Sequence, residues 1–399
     1  MDVLIVTWQG GGASQPALGL GRLLASRGHR VRILAPASFA GRVKAAGCIL
    51  RHHPPELEFD PSAGRMFEDQ QGHAIETVFG HRLADAAAAE LAADSADVVV
   101  VDGLLRGVLC RTGALGTPTV VLTHMLHRHH GRPVDDSTGK WSQRWQYAHV
   151  NRLRRELGLI ALRAGPDPLH TALVRRAAAS IVVMTREFDD WPDPPPNVTH
   201  VGPIFEEREA ARWDSPWQAD DPRPLVVISM STMYMRQEEV LRRVAEASVQ
   251  VGGRALVLTG MELAPEEIAW PVGAIARRYV PHRAVLTEAA LVISHAGMGT
   301  LMAAFAAGAP SICMPLGRDQ QRNAQRAEEL GAAVTVSPDA SPAELRAQVS
   351  AALRSTELVA AAHAMARSIE RHQNGAEAVA VIEGIAPHAV TTRSSEEAA

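Results

Sequence analysis

The feature that most constrains this chain is a recurring pair: a short, uninterrupted apolar run followed by an amphipathic stretch. Val3–Val6 is apolar at every position, as in a strand buried on both faces of a sheet. Gly10-Gly11-Gly12 turns the chain, and Pro16 falls where a missing N–H costs a helix nothing. Leu18, Leu20, Leu23 and Leu24 then recur at helical spacing up to a capping Gly28, and Val31–Leu34 is the next strand. This is a βαβ unit of a parallel sheet. The alternation continues with a helix at Ala84–Ala93 and strands at Asp97–Val101, Thr119–Leu122 and Ile181–Met184.

Residues 188–224 interrupt it with Trp191, Pro194-Pro195-Pro196, Trp213, Pro216, Trp217, Pro222 and Pro224. Proline breaks helix and sheet ladders alike, so an interdomain linker is expected here. The pattern then restarts. Leu225–Ser229, Ala255–Leu258, Leu291–Ser294 and Ser311–Met314 read as strands, with helices at Gln237–Gln250, Thr300–Ala307 and Ala376–Ile385. A length of 399 residues suits two such domains. The expected fold is α/β: two doubly wound, Rossmann-like domains facing across a cleft. The expected boundaries are 1–205, 206–386 and a small polar tail at 387–399.

Charge and cysteine usage exclude some partners. Forty Lys+Arg against 44 Asp+Glu leave a net charge of -4, which argues against nucleic acid as the main partner. Cys48, Cys110 and Cys313 have neither disulfide nor metal-ligand spacing. Met1-Asp2 enters Val3–Val6 with no basic leader, and no apolar run approaches the ~20 residues that span a bilayer. A cytoplasmic protein without stable membrane insertion is expected, as monomer or homodimer.

The most informative segment is Ser294-His295-Ala296-Gly297-Met298-Gly299-Thr300, between an apolar strand and an apolar helix. Small residues let backbone approach a ligand, and the free N–H groups of a helix start form an anion site. His295 and Thr300 add side-chain donors, which suits a diphosphate. A tight turn that binds nothing has the same pattern, and G-x-G alone is a weak signal. Downstream, Asp319 and Gln320 can hold sugar hydroxyls or begin a solvated helix. Upstream, Tyr279 before the Pro281 turn can stack a base or sit half-buried in a core.

Together these segments resemble the nucleotide-sugar signature of family 1 glycosyltransferases of the GT-B fold, over nearly the whole chain. The likeness is greatest to bacterial natural-product and macrolide-type members that use UDP- or TDP-sugars. It implies that Tyr279 stacks on the donor base and Val280 offers its backbone. It implies that His295, Gly297, Gly299 and Thr300 hold the diphosphate and that Asp319 and Gln320 hold the sugar. The family's phosphate loop after the first strand of this domain corresponds to Ser229-Met230-Ser231-Thr232, which puts Ser229 and Thr232 on the donor. Tyr279 stands where Trp is common and His282 where Gln is common. The resemblance implies no cofactor and no metal, and the chain contains no D-x-D.

Inverting transfer needs a general base near the acceptor hydroxyl. The family supplies a His in G-H-x-x-P; here the segment is Gly12-Ala13-Ser14-Gln15-Pro16, and Ala13 cannot take a proton. Three substitutes stay open. Asp102 matches the family's partner carboxylate and is either the base or a strand-end carboxylate. Ser14 can relay a proton or cap a helix. His124 follows the strand Val120–Leu122, would point toward the same cleft, and is either catalytic or an ordinary loop histidine. His124, His127, His129 and His130 crowd one loop, but without Cys or carboxylate partners at familiar spacing a metal site is not expected. Trp141 and Trp145 lie where the family lines its acceptor pocket, in keeping with an apolar or aromatic acceptor. Arg152, Arg154 and Arg155 can form a solvated basic face or touch a membrane-borne acceptor. The expected function is inverting, metal-independent sugar transfer to a small acceptor hydroxyl. C-glycosyl transfer to an aromatic carbon and a catalytically silent nucleotide-sugar-binding partner protein are the alternatives.

Overall fold

A computed structural model describes residues 1–58, 71–127, 142–164, 168–206, 213–230, 235–260, 263–372 and 375–385. The tail expected at 387–399 lies outside them. The described residues form two compact units, the first from residues 1–58, 71–206 and 372–385, the second from residues 213–371.

The first unit is built on a parallel sheet of seven strands: β1 (Asp2–Val6), β2 (Arg30–Ala35), β3 (Ile49–His52), β4 (Val98–Asp102), β5 (Thr119–Thr123), β6 (Ala179–Val182) and β7 (Val198–His200). Their order is β3-β2-β1-β4-β5-β6-β7. The apolar runs have the reason expected of them. Leu4, Val6, Val99, Val101 and Val121 enter one core, with Leu83, Ala87 and Leu91 of the helix Arg82–Ala93. Val3, Ile5, Val98, Val100 and Val120 enter a second core on the other face, with Leu18, Leu20 and Leu24 of the helix Ser14–Ser26. A strand covered on both faces is apolar through its middle, and polar residues such as Asp102, Thr119 and Thr123 fall at the strand ends. Gly28 ends that helix in the left-handed region at φ 85°, where a Cβ would be strained.

The second unit repeats the plan with β8 (Leu225–Ser229), β9 (Arg254–Leu258), β10 (Ala274–Arg277), β11 (Ala289–Ser294), β12 (Ser311–Cys313) and β13 (Ala333–Thr335), in the order β10-β9-β8-β11-β12-β13.

One expected assignment is corrected. The last helix, Ala376–Ile385, was expected in the second domain but belongs to the first unit. Ala378, Val379 and Ile382 share a core with Val3, Ile5 and Leu20, so the chain returns to its starting unit after residue 371.

In each sheet the winding direction reverses once, between β1 and β4 and between β8 and β11. Doubly wound sheets hold ligands outside the carboxyl ends of the strands that flank this reversal. Asp102 ends β4 and Thr7 follows β1; Ser229 ends β8 and His295 follows β11. Among the described residues no helix is long and apolar enough to cross a membrane.

Candidate functional site

In the second unit, β8 and β11 run in register with Ser229 beside Ser294. The hydroxyl of Ser229 meets Nε2 of His282 at 3.1 Å. Burial pushes the His282 imidazole down to about 4, so it is neutral at physiological pH. His295 is lowered to about 4 as well, by burial and then by the nearby Arg318 guanidinium. A neutral imidazole can donate to a phosphate oxygen from one nitrogen. Its buried Nδ1 has no hydrogen-bond partner among the described residues.

The backbone behind His295 is strained. Ala296 has φ 63°, in the left-handed region that a residue with a Cβ rarely enters. Two hydrogen bonds hold it there: its N–H donates to Ser294 Oγ at 3.1 Å and its carbonyl accepts from Asn323 Nδ2 at 3.0 Å. Gly297 then stands as N-cap of the helix Met298–Ala306, with no side chain capping the first N–H groups. A Cβ on Gly297 would lie 2.5 Å from Nε2 of His295, so the imidazole occupies the space that the glycine leaves. Gly299 and Thr300 fall in the first turn of that helix, whose N–H groups and dipole favour an anion.

Asp319 is the N-cap of the helix Gln320–Glu329, and its Oδ2 accepts from Asn323 Nδ2 at 2.8 Å. One amide thus ties the acid expected on the sugar to the loop expected on the diphosphate. Gln320 is used differently from expectation. Its Oε1 accepts from the Leu316 and Gly317 N–H groups at 2.7 and 3.1 Å, and its Nε2 points at Met235 Sδ at 3.5 Å. Its side chain organises the loop, and with one amide hydrogen directed at Met235 only the other remains for a ligand. Tyr279 is 45% exposed and Val280 is buried. Thr232 lies outside the described residues. Arg318, Asn323 and the His282–Ser229 contact were missed at the level of sequence. Arg318 had a signal: it follows a glycine directly and precedes the acid-amide pair.

In the first unit, Asp102 is buried at the end of β4. Its Oδ1 accepts from the Leu104 N–H at 2.8 Å and meets His124 Nε2 at 3.0 Å. Its Oδ2 is buried without a hydrogen-bond partner among the described residues. His124 reaches Asp102 because β5 lies beside β4, with Leu122 level with Asp102. Arg106, buried at the start of the next helix, is lowered to about 10 by burial while the Asp102 charge opposes the fall. Its guanidinium also lies 5.4 Å from the Phe79 ring centre. His170 donates to or accepts from Thr123 Oγ1 at 3.1 Å. Burial, Arg106, His127 and His124 hold it well below the ordinary imidazole range.

Ser14 is also buried, but the structure does not use it as a cap. It is the first residue of its helix, behind Ala13. Its hydroxyl donates to the Gly11 carbonyl at 3.2 Å and accepts from Arg42 at 3.3 Å, which commits it to the turn. Trp145 lies half-buried, edge-on to Phe79 with centroids 5.2 Å apart, and packs on the first core. Trp141 lies outside the described residues. The arginines at 152, 154 and 155 do not share one solvated face: Arg154 is buried and donates to the Ile160 carbonyl at 2.8 Å. Of the histidine-rich loop, His127 stacks on Trp191 with centroids 3.4 Å apart, and its N–H donates to Asp189 Oδ1 at 2.7 Å. Among the described residues no three His, Cys, Asp or Glu side chains are grouped to hold a metal.

Residues 272–379 match the model of the glycosyltransferase family 28 C-terminal domain. The chain is 24% identical over 379 residues to the NDP-glycosyltransferase YjiC of Bacillus subtilis (strain 168), covering 93% of this chain and 94% of the relative. It is 27% identical over 362 residues to the oleandomycin glycosyltransferase of Streptomyces antibioticus, covering 86% and 80%. Among solved structures, the glycosyltransferase of kitacinnamycin superposes with a TM-score of 0.77 at 21% identity, over 96% of this chain and 98% of that one. The fold is therefore that of these enzymes.

Proposed function

We propose that this chain, a glycosyltransferase of the GT-B fold, moves a sugar from a nucleoside diphosphate sugar to a hydroxyl of a small apolar or aromatic natural product, with inversion and without a metal. The single observation that carries the donor half is the loop after β11. There, neutral His295 lies over Gly297, at a helix start that no side chain caps. An anion gains roughly 0.3–2 kcal/mol from a helix N-terminus, and hydrogen bonds to a charged group add about 1.5–3 kcal/mol each. Such donors are worth most where charge develops, which here is the departing diphosphate. They do the work that a divalent cation does in other transferases. Asp319, tethered by Asn323, is placed beside them for the sugar hydroxyls.

The first unit receives the acceptor. Its ligand-facing strand ends carry the Asp102–His124 pair, and the similarity to the oleandomycin glycosyltransferase supports a natural-product acceptor. The acceptor oxygen attacks the anomeric carbon from the side opposite the diphosphate, so the configuration inverts. O-transfer is preferred to C-transfer because Asp102, the carboxylate required to assist a carbon nucleophile, is buried, with Oδ1 engaged by the Leu104 N–H and His124.

The test is turnover. UDP- and TDP-sugars are incubated with phenols and polyketide aglycones in EDTA, with release of nucleoside diphosphate and product mass measured. Product NMR should give the anomeric configuration opposite to the donor's. Tight binding of UDP or TDP with no turnover of any donor-acceptor pair would leave only the silent binding partner.

A further inference from the structure

We infer that His124 is the general base of this transfer and that Asp102 is its positioning residue, so that an imidazole after β5 replaces the one that position 13 lacks. The inference rests on the glycosyltransferase reading above and adds the group that takes the proton.

The geometry separates the two members of the pair. The Asp102 side chain has no solvent exposure, whereas the His124 side chain retains 10%. Both carboxylate oxygens are enclosed: Oδ1 is held by the Leu104 N–H and His124, and Oδ2 is buried. An acceptor hydroxyl must come within about 3 Å of its base, and of this pair the imidazole is the group that extends outward. The 3.0 Å contact between Nε2 and the carboxylate places the ring proton on Nε2. The lone pair is then on Nδ1, and the tautomer is set by the partner, as in other carboxylate-oriented imidazoles. The other candidates are poorly suited. Ala13 has no basic atom, and the Ser14 hydroxyl is engaged by Gly11 and Arg42.

The step balances as follows. The acceptor O–H proton passes to His124 Nδ1 as the oxygen bonds to the anomeric carbon. The bond from that carbon to the diphosphate oxygen breaks, and its electron pair leaves with the nucleoside diphosphate. The imidazolium, stabilised by Asp102, later returns the proton to solvent. Among the described residues the charged and titratable groups around it are Asp102 on β4, Arg106 on the helix Arg106–Leu115, His170 on the helix Leu169–Val174, and His127 on its own loop. Arg106 is the one fixed cation among these four.

The test compares acceptors that differ in their need for a base. An aliphatic alcohol must be deprotonated in the transition state; 4-nitrophenol is largely ionised at mildly alkaline pH and needs no base. His124→Gln should lower kcat/KM by roughly 10²–10⁴-fold for the alcohol and leave 4-nitrophenol nearly unaffected. The acid limb of the pH profile for the alcohol should disappear with it, while UDP or TDP binding stays at the parent value. Asp102→Asn, which keeps the side-chain shape, should lower kcat for the alcohol with little change in KM and move that limb to lower pH. Equal losses on both acceptors, or a full rate on the alcohol in either variant, would overturn the inference. A parent protein that turns over neither acceptor with any donor would instead overturn the glycosyltransferase reading beneath it.

Discussion

Gly297→Ala isolates the donor loop. Gly297 has φ −63° and ψ 135°, a conformation open to any L-residue, so the substitution adds no backbone strain. The cost is steric. The new Cβ would lie 2.5 Å from Nε2 and 2.7 Å from Cε1 of His295, against an ordinary separation of about 3.5 Å. The imidazole must therefore retreat by about 1 Å, beyond the reach of a good hydrogen bond to the place where the phosphate is held. Losing one hydrogen bond to a charged group costs about 1.5–3 kcal/mol. That corresponds to a rise in Kd for UDP or TDP of roughly 10- to 100-fold. Alanine for glycine at an N-cap changes stability by less than about 1 kcal/mol, so the melting temperature should barely move. Gly113→Ala is the control. Gly113 is exposed in the helix Arg106–Leu115 with nothing within 4 Å of its Cβ position, and it should gain up to about 1 kcal/mol of stability with no change in binding. Isothermal titration of both variants with whichever nucleotide binds the parent, paired with thermal melts, reads both quantities. A Gly297→Ala protein that binds as tightly as the parent would refute the assignment of His295 to the diphosphate.

Other expectations follow from single contacts. Asn323→Ala releases both Asp319 and the Ala296 carbonyl; the KM for the donor sugar should rise by about 1–3 kcal/mol equivalent, with nucleoside diphosphate binding less affected, measured by steady-state kinetics beside titration. His53, 2% exposed with its imidazole lowered to about 4, binds its proton in the unfolded chain near 6.5 before it can in the folded one. His282 and His295 act in the same sense. Stability should be fully present above about pH 6.5 and fall as pH drops toward 4, by up to about 3 kcal/mol for His53 alone; urea melts that show no change across this window would contradict it. Ile382→Ala should cost about 2–5 kcal/mol in chemical denaturation of the first unit, whereas a final helix belonging to the second unit would leave the first unchanged.

The central strands of both sheets were legible because burial on two faces writes itself as an unbroken apolar run: every residue of β4, β5 and β8 is buried. The strands that escaped notice, β3, β7, β10 and β13, are the four at the sheet edges. They are three or four residues long and mostly half-exposed, so Ile49–His52 and Ala274–Arg277 carry too little apolar signal to stand apart from loop. The final helix was legible as a helix but not as a member of the first unit, because amphipathic spacing says which face is buried and not against which core. The donor motif was legible for a different reason. His295, Gly297, Gly299 and Thr300 lie within six residues of one another on one strand-turn-helix, so spacing brings them together, while Tyr279, Asp319 and Gln320 join them through the resemblance. Gln320 shows the limit of that argument, since its Oε1 serves the backbone of its own loop rather than standing open.

The Asp102–His124 pair could not be read along the chain, because it depends on which strands are neighbours. β4 lies between β1 and β5, with Val101 level with Val6 and Asp102 level with Leu122. Neighbouring strands are about 4.8 Å apart. A carboxylate at the end of β4 can therefore orient an imidazole that arrives from either side: from the loop after β1, where the resembled family has its histidine and this chain has Ala13, or from the residue after β5. If the base has moved across Asp102 in this way, the two positions are partly interchangeable. Ala13→His introduced into the His124→Gln protein should recover some of the lost rate on the aliphatic alcohol, because Ala13 is only half-buried and stands at the N-cap of the helix that follows β1. The same substitution in the parent should add little, since Asp102 Oδ1 already holds one imidazole. Recovery in the double variant that vanishes when Asp102→Asn is added would show that one carboxylate serves both positions. A folded double variant that binds nucleotide normally yet recovers nothing would mean that the β5 side alone meets the acceptor, and that the two imidazole positions are not equivalent.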